Sequence, residues 1–489
     1  MLIAIIAIPF VCALISWCIP ADLPRRILLV AVSATVLGMA LSFWVVQPEP
    51  ALGGLLSLDP MGRLVLTMTC LLFFAASIYG VAYLKHEETG PRRDFHQGLH
   101  FYNAPEAVFT ACLLLFLSAA VLAPVTRHFG LLWVGIETTT LVSAPLIYFH
   151  RHRRSLEATW KYLLICSVGI ALALIGNLLL DISMQAKGYV ADEMTVDALV
   201  NNASNIHPEW FKAAFVFLLI GYGTKMGIAP MHTWLPDAHS EAPSLVSALL
   251  SGALLNCAFL GIFRACEVGI AAGMSDFTSD ILIFFGFLSM LTAAMFIVHL
   301  GDFKRILAYS SVEHMGILLI ALGVGLEASR GGVLHMFGHS LVKAALFLLA
   351  GNILAKYHTK SSHDITGLFR VLPFTGFFWL AGILAITGTP PFSIFISEFS
   401  ILQGLLHRGH GWLAFLYLAL LGIIFVGMLT PVMRMCLGKA PHGIHPVREN
   451  PLFVVPPACL LLLALGLGMI MPGWFSQALD MAAALGFRQ

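Results

Sequence analysis

Six ionisable side chains stand inside runs that are otherwise apolar: Glu137, Lys225, His335, His339, Lys343 and Glu398. A charged group at the centre of a bilayer costs roughly 2.5–3.5 kcal/mol on insertion scales, so residues kept there face a bundle interior or water and usually carry function. Carboxyl, amine and imidazole groups accept and release protons. The chemistry they suit is proton or cation movement, by hopping between titratable groups and trapped water.

Glu137 lies near mid-depth of HFGLLWVGIETTTLVSAPLIYF. The competing reading is a structural carboxylate hydrogen-bonded among Thr138, Thr139 and Thr140. Lys225 lies in GYGTKMGIAPMHTWLPDAH, among glycines and ahead of Pro230. Proline removes a backbone donor and kinks a helix, leaving carbonyls to hold water or ions. A lysine beside such a break is poised to carry a proton; the alternative is a lysine snorkelling to the membrane edge.

His335, His339 and Lys343 recur at i, i+4 and i+8, which places them on one helix face. Stacked through about 12 Å of depth, they form a candidate proton wire. A structural polar seam competes with this. Metal ligation by the two histidines is the weakest reading, because no carboxylate or third histidine completes a site in that helix, and no metal site is expected. Glu398 follows the Gly388-Thr389-Pro390-Pro391 break in ITGTPPFSIFISEFSIL. Its competing reading is a residue at an outer helix end in contact with water. Secondary candidates are Glu313 and His314 in AYSSVEHMGILL, Lys304, Asn256, and the breaking prolines Pro230 and Pro390. Lys304 and Arg305 could equally be cytoplasmic anchors.

These side chains must be positioned by membrane helices. The chain has 489 residues, 59% of them hydrophobic and 11% charged, where soluble domains have about 25% charged. Apolar runs long enough to span recur throughout. Backbone groups must pair internally in lipid, so the runs are helices; weak alternation excludes barrel strands. The expected fold is an all-α membrane protein of about fourteen spans: 2–20, 27–46, 63–84, 105–125, 130–149, 160–181, 210–230, 244–265, 279–299, 306–326, 331–354, 373–397, 411–433 and 452–475. The first lacks a basic n-region and a cleavage site and is expected to be retained.

An even number of spans puts both termini on one side. Loops on one face carry 17 of the 27 Lys and Arg residues, and the other face carries eight: Arg63, Arg127, Lys187, Lys212, Arg264, Arg330, Arg408 and Arg488. The positive-inside rule then puts both termini on the non-cytoplasmic side of the cell's inner (plasma) membrane. The polar loop 182–209, with Asp192 and Glu193, reads as a solvated outer connection. A net charge of +1 argues against nucleic acid. The nine cysteines form no C-x-x-C pair and read as buried, inert thiols, which excludes an iron–sulfur or zinc centre built from them. No nucleotide loop, nucleophile triad or haem motif appears. No cofactor is expected in this chain, and no redox catalysis by it.

Spans four to eight and nine to thirteen are two five-helix sets. An offset of 173 residues carries Lys225 onto Glu398, and Glu137 onto Ser310, three residues before Glu313. Five is odd, so the second set is inverted. Each set has one Gly/Pro-interrupted span bearing a charge, the seventh and the twelfth, which points to a transport site between inverted halves. The expected division is an N-terminal three-helix segment at 1–104, repeats at 105–265 and 276–434, and a C-terminal helix at 435–489. Two half-channels would meet on a central axis of Glu137, Lys225, His335/His339/Lys343 and Glu398.

The stretches TKMGIAPMHTWLPDAHSEAPSLVSALLSGALL (224–255), GDFKRILAYSSVEHMG (301–316), GHSLVKAALFLLAGN (338–352) and GTPPFSIFISEF (388–399) resemble the antiporter-like subunits shared by respiratory NADH dehydrogenase, multisubunit Na⁺/H⁺ antiporters and membrane-bound hydrogenases. With the helix of Glu137 they span most of 105–435. The resemblance implies that Glu137 and Lys225 form a pair modulating proton uptake. It matches His339 and Lys343 to a histidine–lysine pattern, and Glu398 to a terminal charge. One departure is Asn256, where many relatives carry a lysine or histidine. Asparagine orients water but carries no charge, so the halves would connect through Lys304 or the His339–Lys343 face. SVEHMG and the span count look most similar to the hydrogenase-4 component F type.

The resemblance implies a proton-translocating subunit of a redox-driven complex, partnered by other membrane subunits and a peripheral module with iron–sulfur and possible Ni–Fe centres. Alternatives are a cation/proton antiporter subunit without redox partners, a membrane partner of an inorganic-carbon uptake complex, and a passive scaffold.

Overall fold

The computed structural model describes residues 1–87, 100–186 and 194–485, and the backbone of 92–93. Lys187, Asp192, Glu193 and Arg488 lie outside the described residues. In chain order the helices are α1 (Leu2–Cys18), α2 (Asp22–Ser42), α3 (Pro60–His86), α4 (Glu106–Leu122), α5 (Phe129–Ile147) and α6 (Arg153–Gln185). Then come α7 (Val196–Asn201), α8 (Pro208–Met226), α9 (Trp234–Glu241), α10 (Ser244–Leu249), α11 (Leu255–Ala271), α12 (Ser275–Ile297) and α13 (Phe303–Val324). The chain ends with α14 (Leu326–Tyr357), α15 (Leu368–Val371), α16 (Pro373–Ile386), α17 (Ser393–His407), α18 (Gly411–Cys436), α19 (Pro451–Met469) and α20 (Gly473–Leu485). A π-helical turn, Leu250–Leu254, joins α10 to α11.

Among the described residues, ten helical runs are long and apolar enough to cross a membrane, and α1, α4 and α16 are shorter apolar helices. Their ends follow local chemistry. Asp59 and Asp302 accept backbone N–H groups at the starts of α3 and α13, where four donors would otherwise be unpaired. Proline opens α3, α8, α16 and α19, where its missing donor costs nothing.

Two expected spans are each two half-helices. The run predicted as 210–230 stops at Met226, with Gly227 left-handed at φ +83, and resumes as α9. The run predicted as 373–397 stops at Ile386 and resumes as α17, which continues to His407. The first break frees backbone groups that side chains take up: Ser289 Oγ of α12 accepts from Ala229 N–H at 2.9 Å, and Trp234 Nε1 of α9 donates to Thr224 O at 2.8 Å.

Helices α10, α11, α13 and α14 form the buried heart of the bundle, while α6, α12, α18 and α19 are largely outward-facing. Small residues let helices approach, as membrane packing favours. A Cβ added at Gly169 would meet Thr224 at 2.6 Å, and one at Gly221 would meet Ala173 at 2.5 Å, so α6 and α8 touch almost backbone to backbone. Gly286 of α12 and Gly316 of α13 are in the same relation.

In the stretch 182–209, the described residues 182–186 and 194–209 are structured rather than a solvated loop. They hold α7, the bridge between His128 and Thr195, and Asp197, which pairs with Arg127 at 2.9 Å. Arg127 and Arg264, counted as outer-loop charges, are buried. Arg127 binds Asp59, and Glu267 at 2.9 Å; Arg264 donates to Thr126 O. Lys304, offered as an anchor, is also buried. Six cysteines are buried, but Cys12 is half-buried, and Cys18 and Cys459 are exposed on the chain's outer surface, where apolar helix faces rather than core surround them. Helix α20 is unforeseen: it follows a Pro472-Gly473 turn and is held by Arg330 through Ser476 and Asp480.

Candidate functional site

Lys225 occupies the last turn of α8, where carbonyls point towards a cation. It is fully buried, and its Nζ donates to Thr140 Oγ1 and to Tyr162 OH at 2.7 Å each. The Tyr162 hydroxyl also shares a hydrogen bond with Ser143 Oγ at 2.7 Å. The ammonium also lies 4.6 Å from the Tyr162 ring centroid. Glu137 is half-buried; its Oε1 accepts from Ser167 Oγ at 3.2 Å, and its Oε2 has no partner among the described residues. No ion pair joins Glu137 to Lys225 among the described residues, although they are close enough for their charges to interact. Thr140, one turn from Glu137, takes the contact instead.

The second half of the broken helix carries His239, which the sequence analysis leaves out of its candidates. Its ring stacks on Phe347 at 4.8 Å, and neither ring nitrogen has a partner among the described residues. Below it, Lys304 Nζ donates to Ala242 O at 2.7 Å and Ser240 O at 3.4 Å, capping the free carbonyl end of α9. Ser240 Oγ donates to Asp302, the residue that caps α13, and Glu241 pairs with Lys360 at 3.0 Å. His239 lies within electrostatic reach of both Lys304 and Lys343.

Asn256 stands directly after the π turn, between the halves. Its Nδ2 donates to Gly252 O and to Ser340 Oγ, both at 2.7 Å, while its Oδ1 has no partner among the described residues. Ser340 follows His339 on α14, so Asn256 joins the first set of helices to the His339–Lys343 face. A π turn re-aims the side chains that follow it and is common at functional positions.

The face predicted for His335, His339 and Lys343 exists on α14, and all three are fully buried. Helix α13 packs against it with Leu307, Ser310, Glu313 and His314. Lys343 Nζ donates to Leu307 O at 2.5 Å and to Ser310 Oγ. Glu313 lies close enough to interact with Lys343 on one side and Glu398 on the other. His314 Nδ1 and His335 Nε2 are 2.8 Å apart, and the His339 ring stands 5.1 Å from that of His314. Both His339 nitrogens lack partners among the described residues. Ser397 Oγ donates to Ile394 O at 2.6 Å and therefore accepts from His335 Nδ1 at 2.9 Å.

Glu398 is not at a helix end. It sits in the first turns of α17 and is buried, with Oε1 unpartnered among the described residues. Its Oε2 lies where a Cβ at Gly388 would be, 2.0 Å away, and Gly388 is left-handed at φ +67. Pro390 is exposed in the break, and Pro230 is exposed in the other.

Seven of the primary and secondary candidates thus gather on α13, α14 and α17 or border them: Glu313, His314, His335, His339, Lys343, Glu398 and Asn256. Lys304 stands at the opposite, first-turn end of the same α13, within electrostatic reach of His239; Glu137 and Lys225 form a separate group. Sequence reasoning missed Tyr162, Ser143, His239, Ser340 and Ser397. His239 could have been found, since it closes the motif MHTWLPDAH; the hydroxyls could not, because a serine or threonine in an apolar run has no special pattern.

The NADH:quinone oxidoreductase/Mrp antiporter transmembrane family matches residues 126–424. The chain is 34% identical over 434 residues to a hydrogenase-4 component F homolog of Methylacidiphilum infernorum, covering 87% of this chain and 88% of that one. The fold is similar to a chain of the membrane-bound sulfane sulfur reductase, an archaeal respiratory membrane complex, with TM-score 0.86 at 19% identity over 99% of this chain and 97% of that one. It is also similar to a chain of the Mrp complex of Dietzia sp. DQ12-45-1b, with TM-score 0.79 at 20% identity over 99% and 97%. The chain belongs to the NADH:quinone oxidoreductase/Mrp antiporter transmembrane family. It is an antiporter-like, multi-span membrane subunit of the kind found in NADH dehydrogenase, hydrogenase and Mrp complexes.

Proposed function

We propose that this chain moves protons across the inner (plasma) membrane as one subunit of a redox-driven complex of the membrane-bound hydrogenase type. The observation that carries the reading is the file of buried titratable and hydroxyl groups between the two broken helices. Half-buried Glu137 and buried Lys225 form its first part, and the second runs from Asn256 and Ser340 to Lys343, His339, Glu313, His335, His314 and Glu398. The unpartnered atoms of Glu137, Asn256, His239, His339 and Glu398 along it are sites where water completes hydrogen bonds. Fourteen crossings with two inverted five-helix repeats, 105–265 and 276–434, give each half-channel one broken helix, α8–α9 and α16–α17. Both termini then face away from the cytoplasm.

In this reading the chain binds no cofactor and does no redox chemistry. A redox event in a peripheral iron–sulfur module, with or without a Ni–Fe centre, shifts charge near Glu137 and Lys225. The shift passes along the file electrostatically, since charges interact strongly in a low-dielectric interior. The likeness to a hydrogenase-4 component F homolog supports this partnership over NADH dehydrogenase. A second reading, a cation/proton antiporter subunit, is favoured by the likeness in fold to the Mrp complex; an inorganic-carbon uptake partner uses the same file. Purifying the complex with this chain tagged decides between them. Co-purifying iron–sulfur or nickel centres whose reduction drives proton uptake are expected; a complex that translocates cations and holds no redox centre overturns the redox reading.

A further inference from the structure

The tip of the file gathers a ligand set that no single helix supplies. One ring nitrogen each of His314 from α13 and His335 from α14 and a carboxylate oxygen of Glu398 from α17 lie within 4.8 Å of one another, all buried; His314 Nδ1 is 2.8 Å from His335 Nε2. We infer that these three residues bind a divalent transition cation of the zinc class, which enters from the α16–α17 break and stops proton transfer. This deepens the proposed function, because it names a ligand for the outer end of the same file.

The donor set carries the ion class. Two imidazole nitrogens and one carboxylate oxygen suit Zn²⁺ and its borderline neighbours and are poor ligands for Na⁺ or Ca²⁺. Three protein ligands leave a fourth position for water. Nitrogens bound to one such ion at roughly 2.0–2.1 Å stand about 3.3 Å apart. The imidazoles, 2.8 Å apart, need only part by a few tenths of an ångström while the carboxylate swings in.

The hydrogen bonds prepare that geometry. Ser397 Oγ gives its hydrogen to Ile394 O, so His335 Nδ1 donates to it and the lone pair of Nε2 faces His314. An outer partner that orients a histidine in this way is common in metal sites. Glu398 Oε1 has no partner among the described residues, and the glycine at 388 leaves room for the carboxylate. The exposed Pro390 and Pro391 put this carboxylate beside the surface break. On binding, the hydrogen that His314 Nδ1 shares with His335 moves to His314 Nε2, which has no partner among the described residues, so both imidazoles bind the ion as neutral rings. The file then loses two imidazoles and a carboxylate as carriers.

The test is cobalt titration of the purified full chain, followed by visible ligand-field absorption and by metal content after gel filtration. One Co²⁺ per chain is expected, displaced by Zn²⁺, with affinity falling by roughly tenfold or more in His335→Gln, in Glu398→Gln and in the outer-partner variant Ser397→Ala. His407→Asn, at an exposed histidine, should bind like the parent. Wild-type protein that binds no saturable Co²⁺, or folded variants that bind it undiminished, overturn the site. The readout needs no proton pumping: a pumping protein that binds no cobalt sinks only the metal site, and a cobalt-binding protein that never pumps sinks only the proposed function.

Discussion

At the scale of the residue, Lys225 is held by hydroxyls and not by the carboxylate that its sequence pairing suggests. A lysine bound to Thr140 and Tyr162 keeps its ammonium satisfied while leaving Glu137 free to change charge without breaking a salt bridge. Tyr162→Phe removes one of those acceptors. A buried donor losing its partner costs about 1–3 kcal/mol, so thermal unfolding should shift down by that amount and proton transfer should slow. Gly388→Ala acts at the other end. A methyl group there must displace the Glu398 carboxylate, and the left-handed backbone adds strain of about 1–3 kcal/mol. We expect a folded protein with impaired proton release, read as slower acidification by proteoliposomes.

At the scale of the element, the breaks matter more than the helices. Each of the two broken spans carries a charge near its break, Lys225 before one and Glu398 after the other, and the first break hands its loose backbone to Ser289 and Trp234. The position of the breaks was legible, because Gly227, Pro230, Gly388 and Pro390 cannot continue a helix. Where each helix resumes was not. The segments 234–241 and 398–407 carry His239, Glu241 and Glu398, and polarity in half-helices reads as the end of a span. The i, i+4, i+8 face of His335, His339 and Lys343 was readable from spacing alone. That His314 and Glu398 meet it was not, since contact between α13, α14 and α17 depends on tertiary packing. Close helix contact also yields a prediction. Gly221→Val pushes a branched side chain into Ala173 and the carbonyl of Gly169. Overpacking of this kind costs about 1–3 kcal/mol, and it should loosen α6 from α8, move Tyr162 from Lys225 and lower the unfolding temperature.

At the scale of the whole molecule, a second charged cluster has a structural part to play. Asp59 on the approach to α3, Arg127, Asp197 and Glu267 on α11 tie the N-terminal segment and the α7 loop to the first repeat. It lies off the proposed proton file, and Arg127 is the shared partner of all three carboxylates, with Arg264 3.9 Å from Asp59. Removing one partner of a buried ion pair leaves the others uncompensated, at about 3–5 kcal/mol. Arg127→Met should therefore destabilise the folded chain by that amount, measured by thermal unfolding in detergent, with the rate per folded molecule preserved. Composition alone revealed the class of fold, because apolar runs of this length have one outcome in lipid. It could not separate Arg127 and Arg264, which are buried in pairs, from surface charges that merely orient the chain.

The central claim is that protons pass through this chain and that Lys225 is a station on their route. The most direct measurement is the number of protons moved per electron pair by the complex reconstituted in liposomes, with parent chain and with Lys225→Met. Electron transfer in the peripheral module should persist while protons carried through this chain fall by roughly tenfold or more, equal to at least ~1.4 kcal/mol on the barrier. A folded Lys225→Met complex that keeps the parent ratio of protons to electrons would contradict the account.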